Sequence, residues 1–261
     1  MSEATHLFEP RTYDAVYADI VVDLPLLVAL MKSAGGRVLE VCCGNGRVLV
    51  PALEAGVPAD GLDLSAAMLD DLRHKIAARG LEAGVFEGDM RDFALRDRYA
   101  LIVIAFNSFF HNLTQADQLA TLSCCRRHLS PGGRLAIVAF HPSAPMLIKY
   151  GSGEPVATEV AHDGGKLVCW DAADQDRVEQ VQTVNRKLQY FDSAGRLERE
   201  ETMSFRMRWA YKPEMELLLR VAGFARWEVR AFITGYREPA SPVSGRAPIE
   251  GDHLLYTAWN E

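Results

Sequence analysis

Val38-Leu39-Glu40-Val41-Cys42-Cys43-Gly44-Asn45-Gly46-Arg47-Val48 is the stretch on which the fold turns. It reads as a buried strand, a glycine turn and the start of a helix. Glu40 lies at the strand end, and Gly44 and Gly46 make the turn. Glycine there permits positive φ and lets a ligand approach with no Cβ in the way. A second acidic strand end follows at Gly61-Leu62-Asp63-Leu64-Ser65, and an acidic turn at Glu87-Gly88-Asp89-Met90-Arg91. Acidic or glycine-rich turns at successive strand ends are what an open α/β sheet offers a nucleoside-like ligand.

Outward from that stretch, strands are expected at 37–41, 59–64, 83–87, 99–106 and 134–140. Helices are expected at 47–55, 66–79 and 115–129, and another at 24–33, capped by Asp23. Ser65 is a helix cap, and Thr114-Gln115-Ala116-Asp117 is a capping box. Ser130-Pro131-Gly132-Gly133 is expected to turn the chain into the fifth strand. Strand–helix alternation predicts a parallel, Rossmann-like doubly wound α/β sheet with right-handed crossovers.

The pattern then changes. From 151 to 211 the apolar period becomes two, with Met203, Phe205, Met207, Trp209 and Tyr211 alternating with other residues. Asp192-Ser193-Ala194-Gly195 is a hairpin turn signal. Three or four antiparallel strands are expected here, inserted after strand five. A helix from Pro213 to Ala222 and strands at 225–234 and 253–259 complete the chain, the last two flanking a Pro/Gly/Ser loop at 235–252. The expected organisation is an N-terminal lid (1–35), a ligand-binding core (36–146 and 213–261) and an antiparallel insert on the substrate side (147–212).

The 261 residues are 49% apolar, enough for a sizeable core, and the net charge of −7 argues against broad nucleic-acid binding. Five cysteines show no CxxC spacing and read as reduced residues of a cytoplasmic protein. The polar N-terminus has no apolar signal core, and no apolar run approaches the ~20 residues of a membrane span. No metal-ligand spacing is evident.

Leu49 stands where a dinucleotide fingerprint wants its third glycine, and Glu40 would meet a pyrophosphate with like charge. Glu40 suits a ligand with a cationic or amino-bearing group instead. Asp63 can accept both hydroxyls of a ribose. Asp89 can accept from an adenine amino group while the Met90 amide donates to the ring. The plain alternatives are a Glu satisfied by loop amides, a helix N-terminal acid and a turn aspartate.

Taken in order, these motifs, the fourth strand and Leu129-Ser130-Pro131-Gly132-Gly133-Arg134-Leu135 resemble the class I S-adenosylmethionine-dependent methyltransferases over about residues 36–140. The resemblance implies a seven-stranded sheet with its last strand antiparallel. It assigns Glu40, Cys42, Gly44, Asn45 and Gly46 to the methionine end, Asp63 to the ribose, and Gly88, Asp89 and Met90 to the adenine. Leu64, Met68, Phe106 and Tyr13 complete the implied cofactor set. Cys42 departs from the glycine common in the family at that position. The insert and Gly88-Asp89-Met90-Arg91-Asp92-Phe93 are similar to small-molecule enzymes of secondary metabolism, amino-sugar N-methyltransferases among them.

The resemblance implies S-adenosylmethionine as methyl donor, S-adenosylhomocysteine as product, and a small-molecule acceptor, with no metal, nucleic acid or membrane partner. A homodimer through the insert is an open alternative. Transfer to an amine nitrogen leads. O-methylation of a phenol, hydroxyl or carboxylate, or a non-catalytic protein that binds the same ligand, are the alternatives. A dehydrogenase ranks below these. Two histidines, His111 and His141, follow strands four and five and are candidate bases, or structural residues bonding loop carbonyls. His74, His128 and His162 fall on helices or the insert and read as surface residues. Tyr17, Asn107, Phe110, Trp170 and Trp209 are candidate acceptor-wall residues, or ordinary packing.

Overall fold

The computed structural model describes residues 9–18, 20, 21, 23–142, 144, 147, 148, 153–232 and 253–260. In chain order these form helices α1 (Pro10–Tyr17) and α2 (Leu24–Lys32), strand β1 (Val38–Val41), α3 (Leu49–Glu54), β2 (Ala59–Asp63), α4 (Ala66–Ala78), β3 (Val85–Glu87) and β4 (Tyr99–Ile104). A 3-10 turn (Ser108–His111), α5 (Gln115–His128) and β5 (Leu129–Phe140) follow. Then come β6 (Val156–His162), β7 (Gly165–Asp176), β8 (Val181–Phe191), β9 (Leu197–Arg208), α6 (Lys212–Val221), β10 (Arg226–Phe232) and β11 (His253–Trp259).

The chain divides into two compact units, one of residues 21–141 and 210–261, the other of residues 1–20 and 142–209. The expected 1–35 segment is therefore split, α2 going with the first unit and α1 with the second. The expected loop at 235–252 lies outside the described residues.

The first unit holds a seven-stranded sheet in the order β10-β11-β5-β4-β1-β2-β3. Strands β1 to β5 pair in parallel, and β11 runs antiparallel to both β5 and β10. All four residues of β1 are buried, as in a strand covered on both faces. Capping follows the sequence at two helices. Ser65 Oγ accepts from Met68 N at 3.4 Å, and Thr114 Oγ1 accepts from Asp117 N at 3.0 Å.

Asp23 does not cap α2. Its buried carboxylate is bound instead by the Arg47 guanidinium. Nor does 130–133 lie outside strand five. Asn260 N donates to Gly133 O and Gly132 N to Asn260 O, both at 2.8 Å, so pairing with the chain end carries β5 through the expected turn. His128 is buried, its ring between Cys124 O at 2.8 Å and the Leu95 amide at 3.1 Å, and not a surface residue.

The second unit is a four-stranded antiparallel sheet in the order β6-β7-β8-β9, with α1 beside it. Thr12 Oγ1 and the Tyr190 hydroxyl lie 2.9 Å apart, and Arg186 Nη1 donates to the Tyr17 hydroxyl at 3.0 Å. Asp192 accepts from the amides of Ala194 and Arg196, both at 2.9 Å, at the expected hairpin turn. The period-two pattern runs through Met203, Phe205 and Met207 and stops there: β9 ends at Arg208, Trp209 is buried and Tyr211 is exposed.

Candidate active site

Parallel strands bring the ends of β1, β2, β3, β4 and β5 to one edge of the sheet, where the acidic turns meet. Hydrogen bonds knit them together. Cys43 N donates to Leu62 O at 3.1 Å and Gly88 N to Asp63 O at 2.9 Å. Asp63 Oδ2 accepts from Gly44 N at 2.8 Å, and Oδ1 accepts from Ser65 N at 2.9 Å. One carboxylate therefore closes the first turn and starts the next helix. Burial raises the Asp63 pKa, and bonds from Ser65, Gly44 and Leu64 amides oppose that shift.

Glu40 is 3% exposed, and its Oε2 has no hydrogen-bond partner among the described residues. Burial pushes its pKa up to about 8; Arg47 opposes the shift, while Asp63 and Asp23 add to it. The Leu49 amide also bonds the carboxyl, but a buried oxygen left unpaired is costly unless a ligand satisfies it, as a cationic amino group does. The turn beside it is shaped for close approach. Gly44 has φ +53 with open space where a Cβ would stand. Gly46 has φ +92, and a Cβ there would come within 2.5 Å of Leu72 Cδ1. Cys42 also adopts φ 60, so a small cysteine takes the left-handed backbone that glycine ordinarily supplies.

At the turn after β3, Arg91 grips Asp89 with Nη2–Oδ2 at 2.6 Å and also bonds Asp117 at 3.0 Å. That pairing holds the Asp89 pKa below its ordinary value. Met90 packs its sulfur against Cys42 Sγ at 3.8 Å and Asn112 Nδ2 at 3.3 Å. Leu64 is half-buried, and Met68 is buried in α4. Asn45 Nδ2 donates to Asp71 Oδ2 at 3.1 Å.

After β4, Phe106 and Asn107 both have positive φ, 54° and 66°. Two consecutive non-glycine residues in that region store strain that surrounding contacts must hold. Asn107 Oδ1 accepts from Phe140 N at 2.7 Å, and the Arg47 guanidinium lies 4.4 Å over the Phe106 ring. His141 follows Phe140 directly; its buried Nδ1 has no partner among the described residues, and burial lowers its pKa. His111 is half-buried at the end of the 3-10 turn.

Phe110 is wholly buried and packs edge-on against Phe140 at 5.0 Å, a core contact. Tyr13, Tyr17, Trp170 and Trp209 belong to the second unit. Trp209 is 1% exposed. Strand register puts Trp170 beside Lys187, whereas Asp171 pairs with Arg186 and Ala173 with Val184 and thence Phe205. Trp170 therefore lies on the opposite sheet face from Tyr17 and Phe205. The Tyr13 and Tyr17 rings lie 4.8 Å apart, tilted by 56°. Arg47, Arg91 and Asn112 were not singled out from sequence, and Asp23 was read only as a helix cap. The arginines directly after the two ligand turns were the available signal.

Among the described residues no cluster of three or more His, Cys, Asp or Glu could hold a metal. All five cysteines carry free thiols. No helix among the described residues is long and apolar enough to cross a membrane.

A family model described as a methyltransferase domain matches residues 38–133. The chain is 33% identical over 115 residues to a Streptomyces fradiae dTDP-3-amino-3,6-dideoxy-alpha-D-glucopyranose N,N-dimethyltransferase, covering 44% of each. It is 37% identical over 120 residues to a Pseudomonas aeruginosa ribosomal RNA small subunit methyltransferase C, covering 44% of this chain and 35% of that one. The chain thus spans less than half the length of these relatives. Its fold matches a SAM-bound amino pentose methyltransferase of calicheamicin biosynthesis from Micromonospora echinaspora, with TM-score 0.71, 21% identity, and coverage of 96% and 97% of the two chains. Residues 38–133, the segment that carries the acidic turns, thus match a methyltransferase domain, and the same segment is similar to curated methyltransferases.

Proposed function

We propose that this protein transfers the methyl group of S-adenosylmethionine to an amine nitrogen of a small molecule of secondary metabolism. The observation that carries the reading is Glu40, a buried acid with an unsatisfied oxygen beside a left-handed glycine turn. It matches the cationic amino group of the donor's methionine end. Asp63 would hold the ribose, and Asp89 with the Met90 amide the adenine. The amine acceptor is supported by the N,N-dimethyltransferase relative and the amino pentose methyltransferase neighbour. The second, antiparallel unit is assigned to acceptor choice. Free thiols throughout fit a reducing compartment and hence a cytoplasmic protein.

The donor's sulfonium supplies an electrophilic methyl group. The chain must therefore orient the acceptor, exclude water and manage one proton. Orientation contributes roughly 7–11 kcal/mol in favourable cases. An ammonium acceptor must lose a proton before it can attack. His141 suits that task, because its depressed pKa keeps the imidazole neutral at neutral pH.

The test is a panel of amines, phenols and carboxylic acids incubated with methyl-labelled S-adenosylmethionine. Label entering amines supports the reading. Label confined to phenols or acids replaces it with O-methylation. Ligand binding without transfer to any class replaces it with a carrier.

A further inference from the structure

Asp23 and Arg47 are spent on each other although each has a nearer use. Asp23 stands at the N-cap of α2 with the right side chain for a cap and makes none. Both its oxygens go to Arg47, Nη1–Oδ1 and Nη2–Oδ2 each at 2.7 Å, and Asp23 is 3% exposed. Arg47 sits seven residues after the buried Glu40 and directly after the glycine turn. Arg47 is near enough to lower the Glu40 pKa, and a guanidinium can grip a carboxylate by two parallel bonds. Instead its terminal nitrogens face Asp23, its plane covers the Phe106 ring at 4.4 Å, and Glu40 Oε2 has no partner.

We propose that Asp23 is a positioning residue that holds Arg47 away from Glu40, so that Glu40 stays open to a cationic ligand group. The proposal rests on the functional reading above. Its physical content is competition. Two buried carboxyls share one guanidinium, and the one outside the ligand turn takes it. Arg47 in turn braces Phe106, whose left-handed backbone needs outside support. The charged and titratable groups that act on Glu40 are Arg47, Asp23, Asp63 and the thiols of Cys42 and Cys43.

The experiment is calorimetric titration of the full chain with S-adenosylhomocysteine from pH 6 to 9, for the parent, Asp23→Asn, Asp23→Glu and Arg47→Gln. Titration of the ligand's own amine is common to all four and cancels in the comparison. Asp23→Asn frees Arg47 to pair with Glu40. Binding should weaken tenfold or more, and its pH midpoint should move down. Arg47→Gln removes the opposing cation, so its midpoint should move up. Asp23→Glu should restore most of the parent affinity. Opposite midpoint shifts follow from the two charges alone, so pH 9, where Glu40 is ionised, decides: Asp23→Asn still tenfold weaker there supports the proposal, and a parent-like affinity there overturns it. Midpoints that coincide with the parent, or that move together, overturn it. Should Asp23→Asn fail to fold, Asp23→Ser takes its place, with the same tenfold loss at pH 9 expected and a parent-like affinity there overturning the proposal. A parent that binds no S-adenosylhomocysteine brings down the functional reading and this proposal together.

Discussion

Asp63 accepts the backbone amide of Gly44 at 2.8 Å, so the acid that ends β2 also closes the turn that follows β1. The same carboxylate is assigned to a ribose. Both roles predict that Asp63→Ala weakens S-adenosylhomocysteine binding, by roughly 1–3 kcal/mol for lost charged hydrogen bonds. Calorimetry reads this directly, and an unchanged affinity would remove Asp63 from the site.

Glu40 makes the empty protein sensitive to alkali. Its pKa in the folded chain, about 8, exceeds its ordinary 4.5, so the folded state holds the extra proton. Stability is full below the ordinary value and falls as pH rises through about 8. Glu40→Gln should melt with the parent at acid pH. At alkaline pH it should melt higher, by at least about 1 kcal/mol, or roughly 2–4 °C. Parallel melting curves across the range would show that Glu40 is not buried as described.

His141→Ala should lower kcat by about 10²–10⁴ at neutral pH while leaving donor affinity near the parent value. The loss should shrink at high pH, where solvent takes the proton. His111→Ala should cost much less. Should the two variants exchange these behaviours, the base is His111. If neither slows turnover, both histidines are structural.

At the opposite edge of the sheet, Asp60 is wholly buried and bonds Arg37 Nη2 at 2.6 Å, Gly84 N at 2.7 Å and the Tyr99 hydroxyl at 3.1 Å. Asp60→Ala leaves those donors unmet and should destabilise by about 2–4 kcal/mol in denaturant unfolding. Substrate KM should not move in the fraction that remains folded. A change in KM without loss of stability would contradict this purely structural role.

The centre of the sheet was legible because β1 and β4 are almost wholly buried and read as apolar runs, and because β1, β2 and β3 lead into glycine or acidic turns. The insert was legible from alternation. What remained hidden depends on partners far along the chain. An aspartate before a helix reads as a cap, and only the fold brings Arg47 within reach of Asp23. Phe106 carries no local sign of the left-handed backbone that it adopts, unlike the asparagine after it. Tyr17 and Trp170 both read as wall residues, yet the register of β7 and β8 sets Trp170 on the face opposite Arg186, which bonds Tyr17, and a one-residue slip would reverse that.

The account turns on which ligand the acidic turns hold, and one titration decides it: the full chain against S-adenosylhomocysteine and, separately, NAD. Saturable one-to-one binding of S-adenosylhomocysteine, with none of NAD, is the predicted result. Tight NAD binding with no response to S-adenosylhomocysteine would contradict it.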